Sequence, residues 1–341
     1  VGSWVREACM NGFSEICSLI ARLDLNNPSC EPWLSDELSI KIFAKLLKQS
    51  VERIDKIRSC AGRVLLEFLY TKILSGDEVY LFNLPARETL QNLLPKDEEI
   101  HWTSPLELYP RMVKLLTLKE YRFDLLVGLV IAAGGINESL VRYSSSTLLD
   151  YANELPVTSP EDSSLSLPEL ANELLNILRH NEKQDRIAIP LLEVLDLLFE
   201  SGTLQKIDLD LFSFADLFEC VKKEISGTRE IRKITACMRV LCGMTSLDGT
   251  VRNRSLYQLL SLLVHPFPKV RRSTADQLYL TLTGSIEDES EEMLKIEDIL
   301  VNTDWDSPVP QLKELRNQLY PLLGLKQPNF KTPGTNTTST S

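Results

Sequence analysis

The three histidines of this sequence offer little acid–base or metal chemistry. His101, His180 and His265 lie far apart, and none has a second histidine or a glutamate at the spacing that a zinc site needs. Cys237 and Cys242 are too widely spaced to form a C-x-x-C pair. The sequence therefore predicts no metal site and no cofactor.

Motifs for phosphate binding and for nucleophilic catalysis are missing from the sequence as well. Gly134 and Gly135 are followed by I-N-E rather than by the Lys-Ser or Lys-Thr of a phosphate-binding loop, so they favour a helix end. No G-x-S-x-G sequence is present. Runs of carboxylates such as Asp97, Glu98 and Glu99 are typical of a solvated surface. An enzyme with its own active site is therefore the weakest functional hypothesis.

The most unusual local feature is a group of three cations, Lys269, Arg271 and Arg272. They lie in the segment H-P-F-P-K-V-R-R-S-T-A-D-Q-L-Y, where two prolines end one helix and Val270 begins another. The cations therefore fall at a helix N-terminus, where the helix dipole disfavours positive charge. The cluster predicts contact with an acidic partner, and neutralisation by nearby carboxylates of this chain is the alternative.

The elements that must position these side chains are helical almost throughout. Apolar residues recur at three- and four-residue spacing, which predicts amphipathic helices, and the apolar run 125–136 predicts a core helix. The short stretch 207–211 alternates apolar and acidic residues like a strand, and we interpret it as an extended approach to the next helix. The predicted amphipathic helices span residues 38–51, 53–74, 139–155, 169–178, 187–199, 214–225, 230–244, 251–264, 270–282 and 311–323.

A short sequence pattern recurs along the chain: a β-branched aliphatic residue, then Arg, then a small residue four positions after the aliphatic. The aliphatic and the small residue share one face of a helix. The longer intervals between copies are about twice the length of a HEAT or armadillo repeat. We expect the aliphatic residue to fill the core and the Arg to point to the rim. The copies begin at Val5, Ile57, Val141, Ile231, Val251 and Val270.

These patterns predict an all-α chain, an α-solenoid of HEAT/armadillo-type helical hairpin repeats, over residues 1–325. Proline-rich loops are expected near 80–111 and at 156–168, and the polar residues 326–341 are expected to form a disordered tail. The chain opens on Val1 rather than on Met, so we expect it to be part of a longer polypeptide.

The composition of the chain narrows the classes of partner. The 341 residues include 37 Lys and Arg against 48 Asp and Glu, and the resulting net charge of −11 opposes binding to nucleic acid. No apolar run is long enough for a membrane span. Six of the seven cysteines lie in apolar, helix-like stretches, as reduced cysteines of a cytosolic protein do.

Several ordered sequence words, spread over almost the whole length, carry a family resemblance. They are G-S-W-V-R-E-A-C-M from Gly2, I-D-K-I-R-S-C-A from Ile54, Y-P-R from Tyr109, Y-R-F-D-L-L-V-G-L-V-I-A-A-G-G-I-N-E-S from Tyr121, R-I-A-I-P-L-L from Arg186, H-P-F-P-K-V-R-R-S-T-A from His265, T-D-W-D from Thr303 and L-R-N-Q-L-Y-P-L-L-G-L ending at Leu325. As a set, they resemble the C-terminal portion of the tubulin-folding cofactor D family, the tubulin-specific chaperones D.

The resemblance implies a long HEAT-type solenoid that acts as a cytoplasmic, microtubule-associated chaperone. It implies binding of β-tubulin, and assembly or disassembly of the α/β-tubulin heterodimer together with tubulin cofactors C and E and an Arf-like small GTPase. It also implies a contribution to GTPase activation on tubulin, without nucleotide chemistry of the chain's own. The alternative is a generic HEAT-repeat scaffold or transport adaptor.

A regulatory variant of this hypothesis assigns an arginine finger to the chain. Arg271 or Arg272 would then reach a GTPase and accelerate hydrolysis by about 10³ to 10⁵. In every version, Lys269, Arg271 and Arg272 are the residues that we expect to contact a partner.

Overall fold

The computed structural model describes residues 2–26, 31–73, 79–134, 138–158, 165–283 and 290–328. Within these ranges the chain forms fifteen α-helices, two short 3-10 helices and one isolated antiparallel bridge between Lys72 and Tyr80. The prediction of an all-α, helical-repeat fold is confirmed. The chain divides into two compact units, Val1–Gly227 and Thr228–Ser341.

The first unit is built from ten of these helices. Two 3-10 helices, Val113–Thr117 and Leu204–Lys206, lie between α-helices of this unit. The α-helices are α1 (Ser3–Asn26), α2 (Asp36–Ser50), α3 (Asp55–Tyr70), α4 (Arg87–Leu93), α5 (Pro105–Met112), α6 (Lys119–Ala133), α7 (Glu138–Glu154), α8 (Leu167–His180), α9 (Asp185–Glu200) and α10 (Phe214–Ile225).

Helix α6 is the centre of the first unit. Every residue from Leu125 to Ala133 is buried, so the helix is covered on all sides rather than along one stripe. It packs against α2, α7, α8 and α9. The core helix expected at 125–136 is therefore present, and it begins earlier in the chain, at Lys119.

The close contact between α2 and α6 depends on Gly128. A Cβ atom at this position would lie 2.8 Å from the carbonyl oxygen of Lys48 and 2.6 Å from Cγ2 of Val51. Both distances are shorter than van der Waals contact, so the backbones approach closely only because residue 128 has no side chain.

The substitution Gly128→Ala is expected to destabilise the first unit by about 1–2 kcal/mol, because the overlap with α2 outweighs the better helix propensity of alanine. Gly12→Ala is the matched control, since a Cβ at Gly12 in α1 meets no atom within 4 Å. That variant should gain about 0.5–1 kcal/mol. Urea denaturation followed by circular dichroism measures the free energy of unfolding of both variants. Equal effects of the two substitutions, or a larger loss in Gly12→Ala, would contradict the close packing of α6 on α2.

The second unit contains five of the described helices. Helix α11 packs against both α12 and α13, α13 packs against α14, and α14 packs against α15. Alternate helices are in contact in both units: α11 packs against α13 here, and α1 packs against α3 in the first unit. Stacked helical hairpins produce this relation. The helices are α11 (Ile231–Met244), α12 (Thr250–Leu262), α13 (Pro268–Thr283), α14 (Glu291–Asn302) and α15 (Val309–Leu322).

The boundaries of the predicted amphipathic helices agree closely with the structure, and α3 differs most because it ends at Tyr70. The stretch 207–211 is a turn rather than an extended segment, since the N–H of Leu211 donates to the carbonyl of Asp208 at 2.9 Å. The expected loop at 80–111 contains α4 and α5. Pro105 lies in the first turn of α5, where a helix needs no backbone N–H from it.

Parts of five predictions lie outside the described residues. They are residue 74 of the helix predicted at 53–74, residues 135–136 of the core helix predicted at 125–136, Gly135 of the expected helix end, residues 159–164 of the expected loop at 156–168 and residues 329–341 of the expected tail. One continuous solenoid over residues 1–325 stays a prediction, because the two compact units are described separately.

The Arg of the recurring pattern is fully buried in the copy that begins at Ile57. Arg58 is 0% exposed. Its Nε donates to the carbonyl oxygen of Trp102 at 2.8 Å, its Nη1 to that of Glu52 at 2.7 Å, and its Nη2 to that of Thr103 at 3.2 Å. The Nη2 group also contacts the carboxylate of Asp55. The guanidinium therefore joins the start of α3 to the chain that precedes α5.

The copy that begins at Val270 repeats this arrangement in the second unit. Arg271 is 3% exposed. Its Nε donates to the carbonyl oxygen of Trp305 at 2.6 Å, its Nη1 to that of His265 at 2.9 Å, and its Nη2 to that of Ser307 at 3.4 Å. In each copy one acceptor lies six residues before the Arg and another belongs to a tryptophan. We call the two arrangements the arginine clamps.

The expectation that the pattern's Arg points to the rim is therefore wrong for Arg58 and Arg271. A guanidinium carries five donors and no acceptor, so it can be buried where several carbonyls of irregular chain need partners. Arg142 and Arg232, in two other copies, are exposed as expected.

Replacing the Arg of a clamp by an apolar side chain of similar length should strongly destabilise the protein. Arg58→Met and Arg271→Met leave buried carbonyls without donors, and each should lower the free energy of unfolding by about 3–5 kcal/mol. Arg63→Met is the control, because Arg63 pairs with Glu67 on the exposed face of α3 and should cost less than about 1 kcal/mol. Chemical denaturation measures all three, and a loss below 1 kcal/mol in both clamp variants would contradict the role.

Candidate docking surfaces

The three cations predicted to contact a partner are not equivalent in the structure. Lys269 and Arg272 are exposed in the first turns of α13, and Nε of Arg272 lies 3.5 Å from Oδ1 of Asp306. Arg271 belongs to the interior, where its guanidinium donates to carbonyls of the chain itself. Arg271 is therefore corrected from a partner contact or arginine finger to a structural residue. A partner contact at Lys269 and Arg272 stays a prediction.

The histidines lie in separate environments. His101 is exposed, with Nε2 3.9 Å from Oε2 of Glu107, and His180 packs edge-on against Phe123. His265 accepts a hydrogen bond at Nδ1 from the N–H of Phe267 at 3.1 Å. Burial, together with the nearby Arg271, lowers the pKa of His265. Across the described ranges, no group of His, Cys, Asp and Glu is placed to hold a metal ion.

None of the helices in the described part of the chain is both long enough and apolar enough to cross a bilayer.

An open, mostly apolar groove lies between α1 and α2, and we call it the α1–α2 groove. It has a volume of about 500 Å³. Lys41, Lys45 and Gln49 of α2 supply its polar part. The apolar lining consists of Cys9, Met10, Phe13, Ile16, Cys17 and Ile20 from α1, Trp33 and Leu34 from the connection, and Leu38, Ile42 and Leu46 from α2.

Helix α1 carries two apolar strips, which explains why the groove exists. One strip, which includes Met10, Cys17 and Ala21, is buried in the unit, where α1 packs against α3. Ser14 on the same side donates to Oε2 of Glu67 at 2.8 Å and fixes the contact. The second strip, Phe13, Ile16 and Ile20, lies beside the first and lines the groove. Its member Phe13 is 56% exposed, although a phenyl ring favours burial.

The connection that carries Trp33 is held by an acidic side chain of α1. The carboxylate of Asp24 accepts from the N–H of Trp33 at 3.2 Å and from the N–H of Leu34 at 3.0 Å. Ser35 then caps α2 by accepting from the N–H of Leu38. Trp33 is thus fixed at its backbone while its side chain is 80% exposed. Contiguous exposed apolar surface of this kind marks interaction sites.

The positive charges beside the groove are already paired within the chain. Nζ of Lys41 lies 2.6 Å from Oε1 of Glu37, and Nζ of Lys45 lies 2.7 Å from Oδ1 of Asp124. The groove therefore offers apolar contact rather than free charge to an occupant.

Sequence reasoning missed this groove. The predicted amphipathic helices begin only at residue 38, and residues 2–26 contribute one copy of the Arg pattern. A signal was present, because Leu19 and Leu23, together with the apolar residues at 9, 10, 13, 16, 17 and 20, cover a wider arc of a helix than a single packing face needs.

The cysteine at the edge of the groove offers a direct test of its exposure. Cys9 is exposed, whereas burial raises the pKa of Cys17 and of Cys60. Because the thiolate is the nucleophile, Cys9 should react with iodoacetamide before the other two under native conditions. Peptide mass spectrometry of a time course measures the three rates. Modification of Cys17 as fast as Cys9 would mean that α1 does not pack as described.

The sequence of the chain is similar to proteins of one known family. Residues 40–233, more than half of the chain, match the family model described as tubulin folding cofactor D, C terminal. The chain is 25% identical over 354 aligned positions to tubulin-specific chaperone D of Dictyostelium discoideum, an alignment that covers 96% of this chain and 23% of that protein. The chain thus spans about a quarter of the length of this curated relative. No solved structure matches it.

Proposed function

Since the chain belongs to the tubulin folding cofactor D family, we propose that it is part of a tubulin chaperone that binds β-tubulin. The family match over residues 40–233, which runs from α2 to the start of α11, is the observation that carries the proposal. Helical repeats also suit this role, because each packs mainly on its neighbours and the array presents a long surface to a large partner.

The proposal extends to the reaction that the chaperone serves. The chain acts with tubulin cofactors C and E and an Arf-like small GTPase to assemble or disassemble the α/β-tubulin heterodimer. It contributes to GTPase activation on tubulin within that complex and does no nucleotide chemistry itself. Its place is the cytoplasm, in association with microtubules. The resemblance in the ordered sequence words supports this extension, and the name of the Dictyostelium relative supports its tubulin-chaperone part.

Electrostatics restrict how the contact is made. The chain carries a net charge of −11 and tubulin is also acidic, so the two surfaces repel each other on average. Lys269 and Arg272 are exposed cations at the start of α13, and Arg272 also lies 3.5 Å from Asp306 of the chain itself. We propose that they contact an acidic patch of the partner, and this part of the affinity should fall as salt rises.

Charge reversal at both positions tests the contact. The double variant Lys269→Glu/Arg272→Glu should bind purified tubulin about tenfold more weakly than the unchanged chain, because two attractive pairs become repulsive. Its thermal midpoint should stay within about 1 °C of the unchanged chain, because both side chains are exposed. Fluorescence anisotropy against labelled tubulin gives the dissociation constants.

Lys222→Glu/Lys313→Glu is the matched control, because it makes the same change of net charge at two other exposed lysines. Equal loss of tubulin affinity in both double variants would mean that the net charge of the chain, and not a contact at Lys269 and Arg272, causes the loss. Failure of the unchanged chain to bind tubulin at all would contradict tubulin binding by this portion. Selective binding of transport cargo or of phosphatase subunits would favour the scaffold or adaptor alternative.

A further inference from the structure

The α1–α2 groove has the dimensions of one missing helix. Its lining on α1 runs from Cys9 to Ile20, and its lining on α2 runs from Leu38 to Gln49. Each row spans eleven residue steps, which is about 17 Å or three helical turns. Both rows recur at three- and four-residue spacing, as they do where a third helix rests between two others.

Elsewhere in the first unit, successive helices pack on one another. Helix α2 packs against α6, and α6 packs against α9, so each layer is followed by another. In the described part of the chain no helix lies over the α1–α2 groove. The groove is therefore the place where the stacking pattern of the unit would continue.

Three candidate occupants differ in how well they fit this groove. A second copy fits poorly, because a concave groove is not complementary to another identical groove. A strongly charged partner fits poorly as well, because Lys41 and Lys45 are already paired with Glu37 and Asp124. An amphipathic helix with apolar residues at i, i+3, i+4 and i+7 fits both the shape and the chemistry.

The length of the relative indicates where such a helix comes from. The chain covers only 23% of the Dictyostelium protein, and the family match is to a C-terminal region, so most of the related polypeptide lies outside the present sequence. We propose that, in the longer polypeptide, the α1–α2 groove holds an amphipathic helix from the part that precedes α1. The proposal rests on family membership and not on tubulin binding.

Cys9 reports directly on the occupant, because it is exposed at the groove. In the full-length polypeptide, the rate of alkylation of Cys9 should be about tenfold or more below the rate in this chain. Cys220 on α10 is the internal control, since it is half-buried and distant from the groove in sequence, and its rate should stay within about twofold. Peptide mass spectrometry gives both rates for each protein.

Three outcomes would overturn the proposal. Equal reactivity of Cys9 in the two proteins would leave the groove open. Protection that begins only when purified tubulin is added would assign the groove to tubulin. Protection in this chain that rises with its own concentration would assign it to a second copy. Since tubulin affinity is measured separately, a chain that binds no tubulin could still show the predicted protection.

A substitution in the groove gives an independent measurement. Ile16→Asp in the full-length polypeptide should restore the reactivity of Cys9 to the level of this chain, because a carboxylate cannot be buried under an apolar helix face. Leu25→Asp is the matched control, since Leu25 is a similarly exposed aliphatic residue of α1 outside the groove, and it should leave Cys9 protected.

Folding of the variants is tested in the present chain. There Ile16 is 54% exposed, so Ile16→Asp should leave the thermal midpoint within about 2 °C of the unchanged chain. A full-length Ile16→Asp protein that melts earlier while the short variant does not would agree with the proposal. Unchanged protection of Cys9 in the full-length variant would contradict it.

Discussion

The structure depends on how carbonyl groups between helices find hydrogen-bond donors. Helix ends and irregular connections leave backbone oxygens unpaired, and burying them without donors is costly. Arg58 and Arg271 solve this with one side chain each, because a planar guanidinium reaches several carbonyls at once. Lysine could not replace either residue, since its ammonium acts at a single point. Arg122 also pairs a backbone carbonyl between helices, because its Nε donates to the carbonyl oxygen of Leu116, six residues earlier, at 2.6 Å.

The tryptophans that serve the two clamps show that the two units use similar local solutions. The ring of Trp102 lies against Gly62, where a Cβ would be 2.1 Å from the ring. The indole N–H of Trp305 donates to the carbonyl of Leu300 at 2.9 Å. In both units a buried Arg and a Trp from a later connection are thus joined, although the residues around them differ. The repetition lies in the geometry of the polar contacts more than in the sequence.

Helix type and most helix boundaries could be predicted from the sequence, because amphipathic spacing over ten or more residues is a strong signal. Helices α4 and α5 were missed because they are short and have prolines nearby, and α14 was missed because the carboxylates of its first turn are also typical of a solvated surface. The burial of Arg271 could not be predicted, since its acceptor at Trp305 lies 34 residues further along the chain. The groove is likewise a property of two helices together, and no single stretch of sequence defines it.

The position of α6 sets the order in which the first unit loses structure. In a simple stack each repeat contacts only its neighbours, so the ends open while the middle remains folded. Here one helix, buried throughout Leu125–Ala133, contacts α2 before it and α7, α8 and α9 after it, so none of these layers separates without exposing it. The backbone amides of α6 should be the last of the unit to exchange with deuterated solvent, at a free energy close to that of global unfolding.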